Sequence, residues 1–244
     1  MIATLQAYAR AALDLVYPRN CQLCHVPLAE PETGVICRAC TGKVRFIEPP
    51  FCGRCALPFA GEPAEVYRCG HCAELEFDFS RAVAACTAEG VAREVIHRFK
   101  YGRQLYFARH LEEWLIGAAW RWIDWEPIGA IVPVPLHPRK QRDREFNQAE
   151  ILAQALGQAM TKPVAVRALR RVRDTATQTR LDAKERAANL RGAFAARQAD
   201  AVAGQRVVLV DDVFTTGATL DSCAKVLRAA GAVEVIALTV ARGV

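Results

Sequence analysis

Val207-Val208-Leu209-Val210-Asp211-Asp212-Val213-Phe214-Thr215-Thr216-Gly217-Ala218-Thr219-Leu220 is the stretch on which the reading of the chain turns. Four aliphatic residues in succession read as a strand buried on both faces, the pattern of a parallel sheet covered by helices. Two carboxylates follow where that strand is expected to end. A short Thr/Gly/Ala turn comes next, and an apolar helical pattern starts near Leu220. Strand, loop and helix in that order leave the free N–H groups of a helix N-terminus facing the loop, where an anion such as phosphate is stabilised. Thr215, Thr216 and Thr219 add hydroxyl donors, and Gly217 lets backbone approach an anion without a Cβ between them. Asp211 and Asp212 repel phosphate but suit ribose hydroxyls or Mg²⁺, both of which take carboxylate oxygen. One ligand satisfies both halves: a sugar bearing free hydroxyls and a 5-phosphate. The alternative is an ordinary strand-to-helix turn with an acidic end.

This run resembles the phosphoribosyl-pyrophosphate (PRPP) motif of type I phosphoribosyltransferases: a hydrophobic strand, two acidic residues and a Thr/Gly-rich loop. The resemblance implies an α/β fold with a type I phosphoribosyltransferase-like parallel sheet flanked by helices.

A different chemistry governs the other end of the chain. Four Cys-x-x-Cys pairs occur between Cys21 and Cys72: Cys21/Cys24, Cys37/Cys40, Cys52/Cys55 and Cys69/Cys72. Each pair supplies two thiolates one tetrahedral edge apart, and two pairs complete a Zn²⁺ shell. The eight residues thus make two structural zinc sites in a segment with little apolar material of its own. Sequential pairing as two zinc ribbons is the simplest arrangement, and spacing leaves an interleaved cross-brace open. Cys69-Gly70-His71-Cys72 also looks like a disulfide-exchange motif, but it opens no helix of a βαβ unit and has three sister pairs. His25 and His71 are surplus to a four-cysteine shell. Cys86 and Cys223 stand in apolar segments as small core residues.

The cysteines stop near Glu74 to Ser80, which divides the chain into residues 1–78, an N-terminal helix and small zinc-ribbon domain, and residues 79–244, the phosphoribosyltransferase-like domain. Ile2 to Val16 carries an apolar face at helical spacing, expected to pack on the protein body and too poor in basic residues for a membrane surface. Arg81 to Cys86 reads as a strand. A helix with Val91, Val95, Ile96 and Phe99 on one face ends at Gly102, placing Lys100 and Arg103 where they could reach an anion. Leu105 to Trp122 reads as a Trp-rich core helix and Ile128 to Leu136 as a strand. Arg139, Lys140, Arg142 and Arg144 then crowd the start of a helix from Asn147 to Met160, unfavourable for its dipole unless an anion sits there. Ala165 to Phe194 is polar and basic, without clear strand or helix before about Ala183, and suits a mobile cover over an active site. Val233 to Val240 reads as a last buried strand.

At 52% hydrophobic and 24% charged residues, the composition is that of an ordinary soluble domain. Between His137 and Arg191 thirteen Lys/Arg meet six Asp/Glu, so the net charge of +6 is concentrated there and calls for an anionic partner. No signal peptide and no apolar run of bilayer length is recognised, so a cytoplasmic protein is expected, and in that compartment paired cysteines signify metal.

With Phe99-Lys100-Tyr101-Gly102, Pro133-Val134-Pro135-Leu136, Phe146-Asn147-Gln148 and the run from Gln178 to Asn189, the pattern resembles the ComF competence-protein family over nearly the whole chain. Where the family commonly has Gly before Phe-Asn-Gln, this chain has Glu145. The resemblance implies a role in DNA uptake during natural transformation, with single-stranded DNA handled in the cytoplasm and uptake proteins as partners. It also implies PRPP and Mg²⁺ bound through Asp211, Asp212, Thr215, Thr216, Gly217 and Thr219, with Phe214, Ala218, Lys100 and Arg139 in the same site. Asp211, Asp212, Arg142 and Arg186 are the catalytic candidates of an active transferase. Two rival readings keep the fold without turnover: a zinc-dependent nucleic-acid-binding module in which Tyr101, Tyr106 and Phe146 stack bases, although core packing is the expected use of each, and an assembly factor of the uptake machinery.

Overall fold

The computed structural model of the chain describes residues 19–28, 34–62, 67–173, 190 and 192–244. The helix expected over Ile2 to Val16 and the cover residues Gln178, Lys184, Arg186 and Asn189 lie outside them. The elements in chain order are α1 (Arg38–Thr41), α2 (Gly70–Glu74), β1 (Arg81–Thr87), α3 (Gly90–Tyr101), α4 (Ala108–Trp122), β2 (Ile128–Pro133), α5 (Pro138–Arg144), α6 (Gln148–Met160), β3 (Leu169–Arg171), β4 (Phe194–Ala196), β5 (Arg206–Phe214), α7 (Ala218–Ala229) and β6 (Glu234–Arg242).

The main sheet has the order β1-β6-β5-β2, and its three pairings are all parallel. β5 is therefore interior, as its aliphatic run requires: Val207, Val208, Leu209 and Val210 have no exposed surface. Their side chains alternate between two cores. Val208 and Val210 join Leu111, Leu115, Leu152 and Leu156 of α4 and α6. Val207 and Leu209 join Leu220, Cys223 and Leu227 of α7, together with Leu169 and Phe194 of the paired strands β3 and β4. Cys86 and Cys223 are fully buried core residues, as read.

Several boundaries differ from the sequence reading for physical reasons. β5 does not stop before the aspartates: β6 runs on to Arg242 and keeps pairing, with Asp211 opposite Thr239 and Phe214 opposite Arg242. Arg139, Lys140, Arg142 and Arg144 do not open the long helix; they lie on α5, a separate helix begun by Pro138 and ended by Glu145 in the left-handed region at φ 69°. Arg142 and Arg144 thus sit in the last turn of α5, where cations favour the dipole, and the electrostatic argument for an anion at that point lapses. Within the polar stretch read without clear strand, Leu169–Arg171 forms β3 and pairs antiparallel with β4. Trp114 is buried on α4, but Trp120 of the same helix is 65% exposed, so that helix places only part of its tryptophan in the core. Tyr101 and Tyr106 likewise stand out from the core, at 54% and 44% exposed. No helix among the described residues is long and apolar enough to cross a membrane.

Candidate functional site: a two-carboxylate cleft braced by a cysteine cluster

The eight paired cysteines form two groups, Cys21/Cys24/Cys37/Cys40 and Cys52/Cys55/Cys69/Cys72, with the sulfurs of each group within 4.8 Å of one another. The pairing is sequential. Both groups are built alike. A knuckle ends with a residue in the left-handed region, His25 at φ 62° and Ala56 at φ 57°. A short helix then opens on the third cysteine, with Cys37 and Cys69 as N-caps of α1 and α2. Cys37 N–H donates to Cys21 Sγ and Cys69 N–H to Cys52 Sγ, each at 3.4 Å. Cys24 and Cys37 sulfurs are 3.6 Å apart, as are those of Cys55 and Cys69, close to the ~3.8 Å edge of a tetrahedron with Zn–S bonds of ~2.3 Å. Burial pushes the Cys21 and Cys52 thiols up, but backbone N–H donors, Cys37 and Cys69 foremost, outweigh it and bring them down to about 6 and about 7. Each cluster thus offers one thiol that ionises near neutral pH, beside three more at ligand distance. The donor sets fit two structural Zn²⁺ ions.

The acidic pair lies in a cleft of about 500 Å³ at the C-terminal ends of β5 and β2. In open α/β sheets this is the end at which ligands bind. Lys100, His97 and Tyr101 of α3, Lys140 and Arg144 of α5, Gln148 of α6, Arg171 of β3, Thr215 of the loop and Thr219 of α7 line it with Asp211 and Asp212. With Arg93 of α3, which also lines it, five cations outnumber the two carboxylates, so the cleft attracts anions. Arg139 and Arg142 are exposed and stand outside its lining, and Arg103 is held instead by Glu145 at 2.8 Å.

Asp212 is buried, and its Oδ2 lies 2.6 Å from Lys100 Nζ. Burial brings the Lys100 ammonium down to about 8, against the pull of Asp211. Burial likewise raises the Asp211 carboxyl to about 6, opposed by Lys100, Arg171 and Arg144. Both groups therefore change charge within about a unit of neutrality, a feature common in sites that bind or turn over ligands. Gln148 is nearly fully buried, accepts from Arg144 Nη1 at its Oε1 at 3.2 Å, and leaves its Nε2 without a partner among the described residues. A buried amide donor without an acceptor is costly unless a ligand or water completes it. Asn147 fixes this corner. Its Nδ2 donates to Val134 O at 3.1 Å and its Oδ1 accepts from Ala149 N–H at 3.2 Å, tying the exit of β2 to the start of α6.

The loop is set by Gly217, the N-cap of α7, at φ 84°. An added Cβ there would come within 2.8 Å of Phe214 Cζ and 3.0 Å of Phe77 Cε1. Phe77 belongs to the segment after the second cysteine cluster and stacks on Phe79 at 4.6 Å, with both rings edge-on to Phe214. His71, between Cys69 and Cys72, places Nε2 3.2 Å from Thr216 O. Arg242, at the end of β6, joins the two modules. Its Nε donates to Cys55 O at 3.0 Å, its Nη1 to Thr215 O at 2.8 Å and Phe214 O at 3.3 Å, and its Nη2 lies 3.7 Å from Cys55 Sγ. Sequence reasoning missed Arg242; the available signal was a charge ending the otherwise apolar run Val235 to Ala241.

Comparison with known proteins agrees with this architecture. The "Double zinc ribbon domain" family matches residues 12–73 and the "Phosphoribosyl transferase domain" family residues 147–243. The chain is 34% identical to "Competence protein F" of Haemophilus influenzae over 206 residues, covering 82% of this chain and 87% of that one. It is 34% identical to "DNA utilization protein YhgH" of Escherichia coli (strain K12) over 224 residues, covering 91% and 96% respectively. "Competence protein ComFC" of Bacillus subtilis is 25% identical over 200 residues, 80% of this chain and 79% of that one. Two cysteine clusters of zinc-ribbon form, joined to a phosphoribosyltransferase-like sheet and shared with relatives along nearly their full length, place the chain in the family of competence protein F and the DNA utilization protein YhgH.

Proposed function

We propose that the cleft binds PRPP with Mg²⁺. Supporting this is the meeting, in one anion-attracting cleft, of two carboxylates and the N-terminus of a twelve-residue helix reached through Gly217. The loop amides and the hydroxyls of Thr215, Thr216 and Thr219 hold the 5-phosphate. Asp211 and Asp212 accept from the ribose hydroxyls once Lys100 yields part of its hold on Asp212. Lys140, Arg144 and Arg171 face the pyrophosphate end, and Gln148 Nε2 donates to the ligand. Arg139 and Arg142 stay outside the cleft lining and so take no part in this reading, and Arg186 lies outside the described residues. Bound Mg²⁺ supplies positive charge to the pyrophosphate oxygens. In a transfer reaction the C1–O bond to pyrophosphate breaks as the acceptor bonds to C1, and the cleft cations stabilise the departing charge.

The family relation and the exposed Tyr101 and Tyr106, with the Arg144 guanidinium 5.0 Å over the Tyr101 ring, support a second use of the same rim, the stacking of single-stranded DNA bases in the cytoplasm during DNA uptake. Binding of labelled PRPP with Mg²⁺ tests the first reading. Wild-type protein retains the label, the Asp211→Asn/Asp212→Asn variant does not, and equal retention by both would refute the site. Oligonucleotide affinity that falls steeply with salt supports the second reading, and salt-insensitive or absent affinity overturns it.

A further inference from the structure

We propose that the second cysteine cluster, and not the first, controls the conformation of the Phe214–Gly217 phosphate loop, and that Arg242 is the positioning residue that transmits the control. The ligand side of this inference rests on the reading of the loop as a phosphate site; the coupling itself does not.

Four contacts tie the loop and the first turn of α7 to the segment from Cys52 to Asp78, one of them through Arg242. Arg242 is 5% exposed and donates to the carbonyls of Phe214, Thr215 and Gly243 on one side and of Cys55 on the other. Its guanidinium also stacks on the Phe214 ring at 4.5 Å. His71 reaches Thr216 O, and Phe77 closes over Gly217. Asp78 N–H donates to Asp221 Oδ1, in the first turn of α7, at 2.7 Å. The first cluster makes different contacts. It packs with the α4 side of the sheet, where Val35 N–H donates to His110 Nε2 at 3.1 Å and Arg98 donates to Gln22 O at 2.5 Å.

A planar fork of donors suits this task. Loop carbonyls turned toward Arg242 leave the amide side of the loop turned toward a ligand, and the fork fixes both carbonyls relative to Cys55. Four thiolates around one Zn²⁺ carry surplus negative charge, which the Arg242 cation beside Cys55 Sγ offsets. Metal loss frees the Cys55 knuckle and the α2 turn that holds His71, so Arg242 loses one of its two anchor points. The loop is then held only from its own domain. By linkage, a ligand that orders the loop also tightens metal at the second cluster.

Amide hydrogen exchange tests this without any ligand. Two amides report on the loop: Gly243 N–H, which donates to Phe214 O at 2.7 Å, and Asp221 N–H, which donates to Gly217 O at 2.8 Å. In zinc-loaded protein, Arg242→Gln is expected to raise exchange at both at least tenfold, with two zinc ions still bound and Val207–Val210 unchanged. Arg242→Lys, which keeps the charge and loses the fork, gives an intermediate increase and serves if Arg242→Gln folds poorly. Cys69→Ser gives the same loop signature, and Cys24→Ser, in the first cluster, does not. Loop exchange equal to wild type in both Arg242 variants, or an equal response to Cys24→Ser and Cys69→Ser, overturns the coupling. Adding PRPP and Mg²⁺ to wild-type protein separates the two readings. A protected loop that binds no PRPP defeats the PRPP reading, while the variant pattern still upholds the coupling.

Discussion

Lys100→Met probes the buried charge pair at the floor of the cleft. Lys100 and Asp212 side chains are 19% and 9% exposed, and their charged atoms are 2.6 Å apart. Removing one partner of a fully buried pair costs ~3–5 kcal/mol because the other charge is left uncompensated. The Lys100 side opens to the cleft, which lowers the expected cost of Lys100→Met at pH 7 to ~2–4 kcal/mol by that measure. At ~2–4 °C per kcal/mol for a chain of this size, the melting temperature falls by ~5–15 °C. Asp212→Asn is milder, since the freed ammonium sheds its proton readily at a value of about 8 and has a flexible stem to reach solvent. The double variant Lys100→Met/Asp212→Asn leaves neither charge, so it is expected to be more stable than Lys100→Met alone, with a coupling of ~1–3 kcal/mol. Chemical denaturation of the four proteins gives the cycle. Single costs that add within ~0.5 kcal/mol would refute the pair as described.

The remaining expectations follow from the same geometry. Stability should fall between about pH 4 and pH 6, because folded Asp211 holds a proton that the unfolded carboxyl gives up at 3.8, and rise from about pH 8 to 10.5, because unfolded Lys100 holds a proton that the folded one has released. PRPP affinity should peak in the window between, where Asp211 accepts and Lys100 is still a cation; melting and calorimetry across pH check both. Gly217→Ala forces a Cβ into the Phe214 and Phe77 rings at a left-handed position, so it should destabilise by at least ~1–2 kcal/mol and weaken PRPP binding, measured by denaturation and calorimetry. Metal analysis should find two zinc ions per chain, one lost in Cys40→Ser and one in Cys72→Ser, and a strong chelator should lower the melting temperature, because both clusters are built into the hydrophobic cores.

What could be read in advance was what the chain writes locally. Val207–Val210 could only be an interior parallel strand, the Cys-x-x-Cys spacing marked the two four-cysteine clusters, and Thr215–Thr219 lay where a helix had to begin. Cys86 and Cys223 fell in the core because nothing near them offered a partner. What stayed hidden depends on residues far apart in sequence. Strand β5 outlasts its aspartates only because β6 pairs with it to Arg242. The basic cluster after Pro138 looked like the mouth of one long helix, but Glu145 in a left-handed conformation breaks it in two and turns Arg139 and Arg142 to solvent. Lys100 suggested an anion-reaching role, yet it rests on Asp212, more than a hundred residues away. The bracing of the loop by Cys55, His71 and Arg242 spans nearly the whole described chain and has no local signature.

The most direct measurement is the structure of the zinc-loaded protein crystallised with PRPP and Mg²⁺. The account predicts ribose hydroxyls on Asp211 and Asp212, the 5-phosphate against the amides from Thr216 to Thr219, and Lys100 drawn off Asp212. A cleft still closed by the Lys100–Asp212 contact, with PRPP bound elsewhere or not at all, would contradict it.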